Sequence, residues 1–349
     1  MLNSYSGGIN GWGLKVRVAV KIFWDNGVTI ERKGEILHLD ASPKLKGNVV
    51  LVSHAHGDHV GGLKAKGRIA GYATEATLKI FEAAFGKKPA IPVKPVKYGE
   101  KFKVGCFKVK VFNSGHIFGS CGFLVEIDGL TIAYTGDLNF SDSLLTKAAE
   151  PVECDILIIE STYGSPQYRF PSRGSLYPRM VKWAVEKVKE GKIPVFHVYP
   201  VGKAQEIVRM LNEYTDLQVY VHPKIAKVNS AHESLGFKLD AEPLKGKPKP
   251  GSCVLVQPRS LLGYLNLEKV SPAVATGWAV RYRWMGVEAF PLSNHADFPQ
   301  LLSYVKQVKP RKVYTCYGFS DMLASALKTK LGLKAEPLPA GNPPQLIKL

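Results

Sequence analysis

The hexapeptide His54-Ala55-His56-Gly57-Asp58-His59 packs three imidazoles and a carboxylate into a single short loop. Residues 49–52, Val-Val-Leu-Val, read as a short buried strand just before it. The loop therefore sits at a strand's C-terminal end, where α/β proteins carry their chemistry. Histidines at i and i+2 reach one metal ion from a tight loop, while Asp58 and His59 point to a second position alongside. Zinc accepts imidazole nitrogen and carboxylate oxygen, and it lowers the pKa of a water towards ~7. Two adjacent metals can also clamp a phosphate.

At 349 residues the chain can bury a large core and hold one large domain or two. Its 47 basic and 29 acidic residues give a formal charge of +18. Such an excess concentrates polyanions and favours phosphate contacts, which points to nucleic acid, although a basic protein without that partner carries the same signature. Cys106, Cys121, Cys154, Cys253 and Cys316 lie in or beside apolar stretches without a C-x-x-C pair. They read as core thiols suited to a reducing cytoplasm rather than as a disulfide framework. The first thirteen residues lack the pattern of a signal peptide, and no apolar run approaches the ~20 residues that span a bilayer. The expectation is a soluble cytoplasmic protein with no membrane partner.

The first third is rich in strand signals at residues 15–24, 28–32, 35–40 and 49–52, with a turn at Asp25-Asn26-Gly27. Helical periodicity follows at 74–85, then strands at 102–112, 122–127, 130–134 and 155–159. After Ser165 the texture changes. A loop at 166–173 leads to helix, strand and helix at 177–189, 194–199 and 203–213, a helical stretch at 223–235, and a Lys/Gly/Pro linker at 245–250. Alternation of this kind implies a small doubly wound unit. Near Glu288 the chain returns to potential ligands, then a helix at 299–308, a strand at 312–315 and a helix at 321–331. The arrangement suggests a smaller domain inserted into a larger one.

With these motifs in view, H-x-H-x-D-H after a buried strand resembles the metallo-β-lactamase superfamily. His116, in SGHIFGS at 114–120, matches that family's next histidine, and Asp137, in YTGD at 134–137, matches its metal-bridging carboxylate. Asp40 resembles an early aspartate that supports the ligand loop. Glu160, in IIESTYG at 158–164, and His295, in LSNHAD at 292–297, resemble two motifs of the β-CASP nuclease branch. The stretches 160–168, 202–205, 275–278 and 293–302 are similar to ligase-associated DNA exonucleases and to archaeal and Artemis-like DNA repair nucleases. The implied fold is an α/β protein, a metallo-β-lactamase αββα sandwich with an inserted small doubly wound β-CASP domain. Residues 1–165 and 289–349 form the sandwich, and 166–288 form the insertion.

The resemblance implies metal ligands His54, His56, Asp58, His59, His116 and Asp137. It implies Asp58, Glu160 and His295 as catalytic residues, with His295 as general acid and Glu160 fixing its other ring nitrogen; the alternative for His295 is a role that only orients a ligand. Where RNA-processing β-CASP enzymes carry a further histidine ligand, alignment on Gly318 and Asp321 places Tyr317. A neutral phenol is a poor zinc ligand at pH 7, since its unperturbed pKa is about 10. Cys316 would alternate away from its neighbour on a strand. Artemis-like DNA enzymes also lack that histidine, which favours DNA over RNA.

Substrate contacts read less uniquely. Ser161 and Thr162 suit either phosphate or a turn. Lys203 follows Gly202 at a helix start, where N–H groups and an ammonium can hold phosphate. Arg281 and Arg283 beside Trp278, Tyr282 and Trp284 suit a single strand, or those aromatics are core. Asp297 either orients His295 or caps the following helix.

These readings combine into a zinc-dependent phosphodiesterase acting on DNA, an exonuclease in repair with a possible functional association with a DNA ligase. Mn2+ or Mg2+ can stand in for zinc. RNA end processing or decay is the alternative, and a small-molecule hydrolase of the same fold is a further class. Because Tyr317 replaces a ligand, His54, His56, His116 and Asp137 should hold one ion firmly, and Asp58, His59 and Asp137 a second one loosely. Elemental analysis of protein purified without added metal should show substoichiometric second-site occupancy; two tightly held ions per chain would sink this expectation.

Overall fold

The computed structural model describes residues 5–9, 15–18, 20–258 and 269–341. Strands β1 (Tyr5–Ile9) and β2 (Lys15–Val18) pair antiparallel as a separate hairpin. The run 15–24 is thus two strands, because the pairing partner changes before β3 (Val20–Trp24). β3 joins β4 (Val28–Arg32), β5 (Glu35–Leu39), β6 (Val49–Leu51), β7 (Ala70–Thr74) and β8 (Val93–Val96) in a sheet whose spatial order is the chain order. Its first strands are antiparallel, with Asn26 and Gly27 at positive φ supplying the turn. From β5 onward the strands run parallel. Helix α1 (Glu75–Phe85) starts where the Thr74 hydroxyl accepts the Thr77 N–H at 3.1 Å and stops at Gly86, which takes the left-handed conformation.

Strands β9 (Lys101–Val104), β10 (Phe107–Asn113), β11 (Cys121–Ile127) and β12 (Leu130–Tyr134) form an antiparallel meander, and β13 (Ile156–Glu160) adds parallel to β12. The expected single strand at 102–112 is folded into a hairpin at Gly105, whose φ of 56° glycine adopts without a Cβ penalty.

The chain then leaves this sheet. Helix α2 (Arg173–Lys189) begins a turn earlier than its periodicity indicates, since the Ser172 hydroxyl caps it through the Ser175 N–H. Strand β14 (Ile193–His197), α3 (Lys203–Tyr214), β15 (Gln218–Val221), α4 (Pro223–Glu233), β16 (Glu242–Pro243), β17 (Ser252–Val256), β18 (Val270–Ala275) and β19 (Glu288–Phe290) follow. These strands form an all-parallel sheet ordered β16-β15-β17-β14-β18-β19. Helix α5 (Phe298–Val308), β20 (Lys312–Cys316), α6 (Ser320–Leu331) and β21 (Lys334–Pro337) bring the chain back. β20 pairs in parallel directly beside β13, with Glu160 opposite Cys316.

Burial shows how the layers stack. Val28, Ile30, Leu37, Leu39 and Leu51 of the first sheet share one core with Val109, Val111, Phe123, Ile132 and Ile158 of the second. The outer face of the first sheet packs Val50 and Ala73 against Phe81 of α1. That of the second packs Ala133, Leu157 and Val313 against Leu301 and Val305 of α5 and Leu323 and Leu327 of α6. The result is an αββα sandwich. On the third sheet, Phe196, Val219 and Leu255 pack against Met180 of α2 and Ile207 and Leu211 of α3. The five cysteines are unpaired. Among the described residues, no helix is long and apolar enough to cross a membrane.

Gly122 of β11 marks a place where the sandwich is close-packed: an added Cβ would lie 2.4 Å or less from the Phe112 ring and 2.7 Å from the Tyr134 carbonyl. Overpacking of this kind costs ~1–3 kcal/mol. Gly122→Ala should lower stability by about that amount in denaturant titration, and an unchanged midpoint would contradict the packing described.

Candidate active site

The ligand-bearing loops all leave the same edge of the sandwich. Asp40 follows β5, the His54–His59 loop follows β6, Asp137 follows β12, Glu160 ends β13 and Tyr317 follows β20. His116 lies in the turn between β10 and β11, and His295 precedes α5. The parallel runs β5-β6 and β12-β13-β20 explain the gathering, because parallel neighbours end on the same side.

The structure brings His54, His56, His116 and Asp137 to one point. His54 Nε2 is 3.0 Å from His56 Nδ1, which is 3.1 Å from His116 Nε2, while Asp137 Oδ2 lies 3.4 Å from His54 Nε2 and 3.5 Å from His116 Nε2. A tetrahedral zinc at ~2.0–2.2 Å from each ligand spaces them roughly 3.3–3.6 Å apart.

The hydrogen bonds on the far side of each ring decide what those nitrogens present. His56 Nε2 meets the Val201 carbonyl at 3.2 Å, and His116 Nδ1 meets the Asn294 carbonyl at 2.8 Å. Carbonyls only accept, so both of these nitrogens carry hydrogen. Ser53 Oγ donates its one proton to Asp40 Oδ2 at 2.5 Å, so it accepts from His54 Nδ1 at 2.8 Å. Burial lowers the pKa of all three rings and keeps them neutral. Three lone pairs and a carboxylate oxygen therefore face one another at hydrogen-bond distance with no proton between them. That arrangement is repulsive unless a cation lies at its centre, so the residues fit a metal.

His59 faces a neighbouring position. Its Nδ1 bonds Asp40 Oδ2 at 2.8 Å, and its Nε2 lies 3.5 Å from Asp137 Oδ2 and 3.6 Å from Asp58 Oδ2. Burial works against its charge, yet Asp137 and Asp40 hold it up to about 10. A cation bound at Nε2 would take the place of that proton. The Asp58 side chain is 76% exposed and stands at the rim, so this second position is less enclosed than the first.

Asp40 is heavily engaged. Besides Ser53 Oγ and His59, it accepts the Ser53 N–H at 2.7 Å and the Tyr134 hydroxyl at 2.8 Å. Three of these donors converge on Oδ2 and one on Oδ1, so it orients the ligand loop. Tyr134 and Ser53 are the members that sequence reasoning missed; Ser53 was detectable only by its adjacency to His54. The Tyr317 hydroxyl, with Tyr134's proton already given to Asp40, donates to Tyr134 at 3.2 Å, and its ring packs beside His59 at 5.2 Å. Burial raises its pKa well above the usual phenol value. The Cys316 thiol points instead to the Ile159 carbonyl.

On the opposite wall, His295 Nδ1 donates to Glu160 Oε1 at 2.9 Å, leaving Nε2 towards the cavity, 3.9 Å from Asp137 Oδ2. Glu160 is pinned by the N–H groups of Leu138 at 2.9 Å and Thr162 at 3.0 Å. Burial depresses the His295 imidazolium, but Glu160 and Asp137 outweigh it and raise the pKa. Between the walls lies a cavity of about 460 Å³ lined in part by His56, His59, Asp137, Lys203, His295 and Tyr317.

The substrate contacts expected from sequence divide. Ser161 is fully buried and donates to the Cys316 and Tyr317 carbonyls, so it holds the loop after β20 and does not reach the cavity. Lys203 does line it, pushed down to about 8 by burial. The helix end beneath it is closed, since Gln205 Oε1 accepts the Gly202 N–H at 2.8 Å. Arg281 and Arg283 are exposed beside the cavity rather than lining it. Asp297 caps α5 through the Gln300 N–H at 3.0 Å and accepts the Phe170 N–H at 2.8 Å.

A family model described as a beta-lactamase superfamily domain matches residues 36–232. The chain belongs to the metallo-β-lactamase superfamily. A probable DNA ligase of Opitutus terrae is 29% identical over 297 residues, 81% of this chain but 28% of the ligase. An RNase J-like protein of Methanocaldococcus jannaschii is 27% identical over 78% of this chain and 81% of its own length. Cleavage and polyadenylation specificity factor subunit 3 of Dictyostelium discoideum is 34% identical over 48% of this chain and 25% of its own. These metallo-β-lactamase relatives are consistent with the β-CASP branch. A solved structure from Enterococcus faecalis, of a protein of unknown function, shares the fold with a TM-score of 0.65 at 13% identity, covering 92% of this chain and 98% of its own.

Orienting partners of metal ligands typically contribute 10- to 100-fold in affinity. Asp40→Asn puts a donor where Ser53, His59 and Tyr134 all need an acceptor. Zinc affinity, measured by competition with a chelator, should weaken by roughly 10- to 100-fold; an unchanged affinity would contradict the role assigned to Asp40.

Proposed function

We propose that this protein hydrolyses phosphodiester bonds in DNA, removing nucleotides from an end. The observation that carries the reading is one cavity with a cation-demanding cluster of His54, His56, His116 and Asp137 on one wall and the His295–Glu160 pair on the other. These residues would hold a divalent ion, which when bound would supply electrophilic charge to a phosphate and lower the pKa of a water. His54, His56, His116 and Asp137 form the firm ligand set, with Asp58 and His59 as a looser second set, zinc being the metal that suits these donors. The formal charge of +18 supports a polyanionic substrate.

The chain's own groups account for the rest of the reaction. Lys203 offers an ammonium to a phosphate oxygen at the cavity wall. The leaving sugar oxygen needs a proton, and His295 Nε2 faces the cavity to deliver it. Glu160 holds the other ring nitrogen, fixes the tautomer and favours the charged form that donates. We assign residues 166–288 to a module that covers one side of the cavity through Tyr199, Lys203, Thr276 and Trp278.

DNA is favoured by two features. Tyr317 stands where the resemblance to RNA-processing β-CASP enzymes would place a histidine, and its hydroxyl is committed to Tyr134. One similar protein is named a probable DNA ligase, much longer than this chain, which supports a functional link between end trimming and ligation. RNA hydrolysis is the second reading, favoured by similar proteins named as RNases. End-labelled single- and double-stranded DNA and RNA, with Asp58→Ala as control, separate the two: faster loss of label from RNA would overturn the DNA assignment, and no hydrolysis of either would overturn the nuclease reading.

His295→Asn should lower kcat on the preferred substrate by roughly 10²–10⁴ while metal content stays constant. Glu160→Gln removes a carboxylate that raises the His295 pKa, so the acid form is lost at lower pH and the alkaline limb of the kcat profile should move down. A wild-type profile in both variants would remove the acid role.

A further inference from the structure

Outside the cavity mouth, an aromatic series continues away from the reacting centre. Tyr163 lies 5.8 Å from His295 between ring centroids, Trp278 lies 4.9 Å from Tyr163, and Tyr282 lies 6.4 Å from Trp278. Exposure rises along it, from a buried Tyr163 through Trp278 at 36% to Tyr282 at 56%. Across the mouth, Tyr199 is 58% exposed, and Lys203 lies over its ring at 5.2 Å. Tyr163, Trp278 and Tyr199 all line the cavity. Exposed aromatics in such density are costly in water unless a ligand covers them.

The backbone explains why these rings are presented outward. Gly277–Val280 is a short 3-10 turn capped by the Thr276 hydroxyl through the Trp278 N–H, not a strand whose alternate residues enter a core. Gly277 permits the close approach, since a Cβ there would lie 2.6 Å from the Tyr163 ring. Arg281 follows the turn, exposed, and Arg283 Nη1 is anchored on the Ala279 carbonyl at 2.6 Å. Cations beside staggered rings match a chain of phosphates carrying flat bases.

Resting on the phosphodiesterase reading above, we propose that Trp278 and Tyr282 form a stacking ramp that receives the unpaired end of a nucleic-acid strand and delivers its terminal phosphodiester to the cavity. The cavity volume of about 460 Å³ lies within the roughly 300–1,000 Å³ that encloses one drug-sized ligand, a size that suits one nucleotide unit better than a paired and stacked end. Bases have to unstack from their neighbours to enter, and stacking on the ramp compensates. The preferred substrate is accordingly a single strand or an overhang, and blunt duplex is cleaved only as it frays. Trp278 and Tyr282 act as positioning residues, since neither lies against the groups that react.

The test compares Tyr282→Ala and Trp278→Ala with Trp278→Phe in the metal-loaded protein. Kinetics are measured on oligothymidylate and on bis(4-nitrophenyl) phosphate, which has no bases to thread. Each alanine variant should lower the ratio of kcat/KM on the oligonucleotide to kcat/KM on the small diester by about tenfold, mainly through KM, with Trp278→Phe restoring most of it. Tyr282→Ala touches only the outer step of the series, so it reads the ramp without disturbing Tyr163 or His295. Oligothymidylate should also quench the wild-type tryptophan fluorescence, with a weaker apparent affinity in Tyr282→Ala. An unchanged ratio together with an unchanged affinity would overturn the ramp, as would blunt duplex cleaved as fast as single strand. Absence of hydrolysis on every phosphodiester would instead overturn the nuclease reading, while the fluorescence titration would still decide whether the ramp binds.

Discussion

The buried carboxylate of Asp40 is the constraint on which the site depends. It accepts the Ser53 N–H, the Ser53 hydroxyl, His59 Nδ1 and the Tyr134 hydroxyl, all within 2.8 Å. Through Ser53 it sets the tautomer of His54, and directly it sets that of His59, so one anion decides where two ligand lone pairs point. It also joins the sandwich, since Tyr134 belongs to the second sheet while Asp40 and Ser53 follow strands of the first. A buried charge this well satisfied is stable where it lies, because each donor offsets part of its desolvation. Its own backbone sits at φ 49°, a conformation that turns the chain out of β5.

Asp137 has the complementary role. Burial alone would protonate it, but His59 and His295, both pushed towards their charged forms, surround it and hold its carboxyl well below the usual range. It therefore remains an anion facing both metal positions and the acid. A buried ion pair between Arg173 and Glu206, at 2.7 Å, is joined to the His295 loop by hydrogen bonds: Arg173 donates to the Ser293 carbonyl at 2.9 Å, and Glu206 accepts from the Asn294 side chain at 2.6 Å.

Much of this was legible in the sequence because ligands are local. His54, His56 and His59 fall in one loop, and a strand as apolar as 156–159 announces itself, whereas the alternation across 102–112 concealed the hairpin at Gly105. What escaped was set by pairing at long range. Ser161 read as a phosphate contact because its position after a strand is all that the sequence reveals; its actual partners are carbonyls at Cys316 and Tyr317, some 155 residues on. Short parallel strands such as β7 and β18 carry few side chains and acquire strand character from neighbours. Arg173 sat in what read as a loop, and nothing local marks Glu206, 33 residues away, as its partner. The Trp278 cluster was ambiguous between core and surface, and the structure gives it both: Trp278 packs on Tyr163 and Tyr168 while 36% of it stays exposed, beside Tyr282 at 56%.

The ring N–H groups of His56 and His116 have their acceptors in the Val201 and Asn294 carbonyls, which flank the third sheet rather than the sandwich. Thermodynamic linkage makes that arrangement reciprocal. Whatever withdraws those carbonyls frees the imidazoles to swivel and weakens their hold on an ion; whatever ion binds draws the carbonyls in and tightens the seam between the two parts of the chain. An ion bound at the metal position would thus be linked to the seam between the third sheet and the sandwich through these two hydrogen bonds.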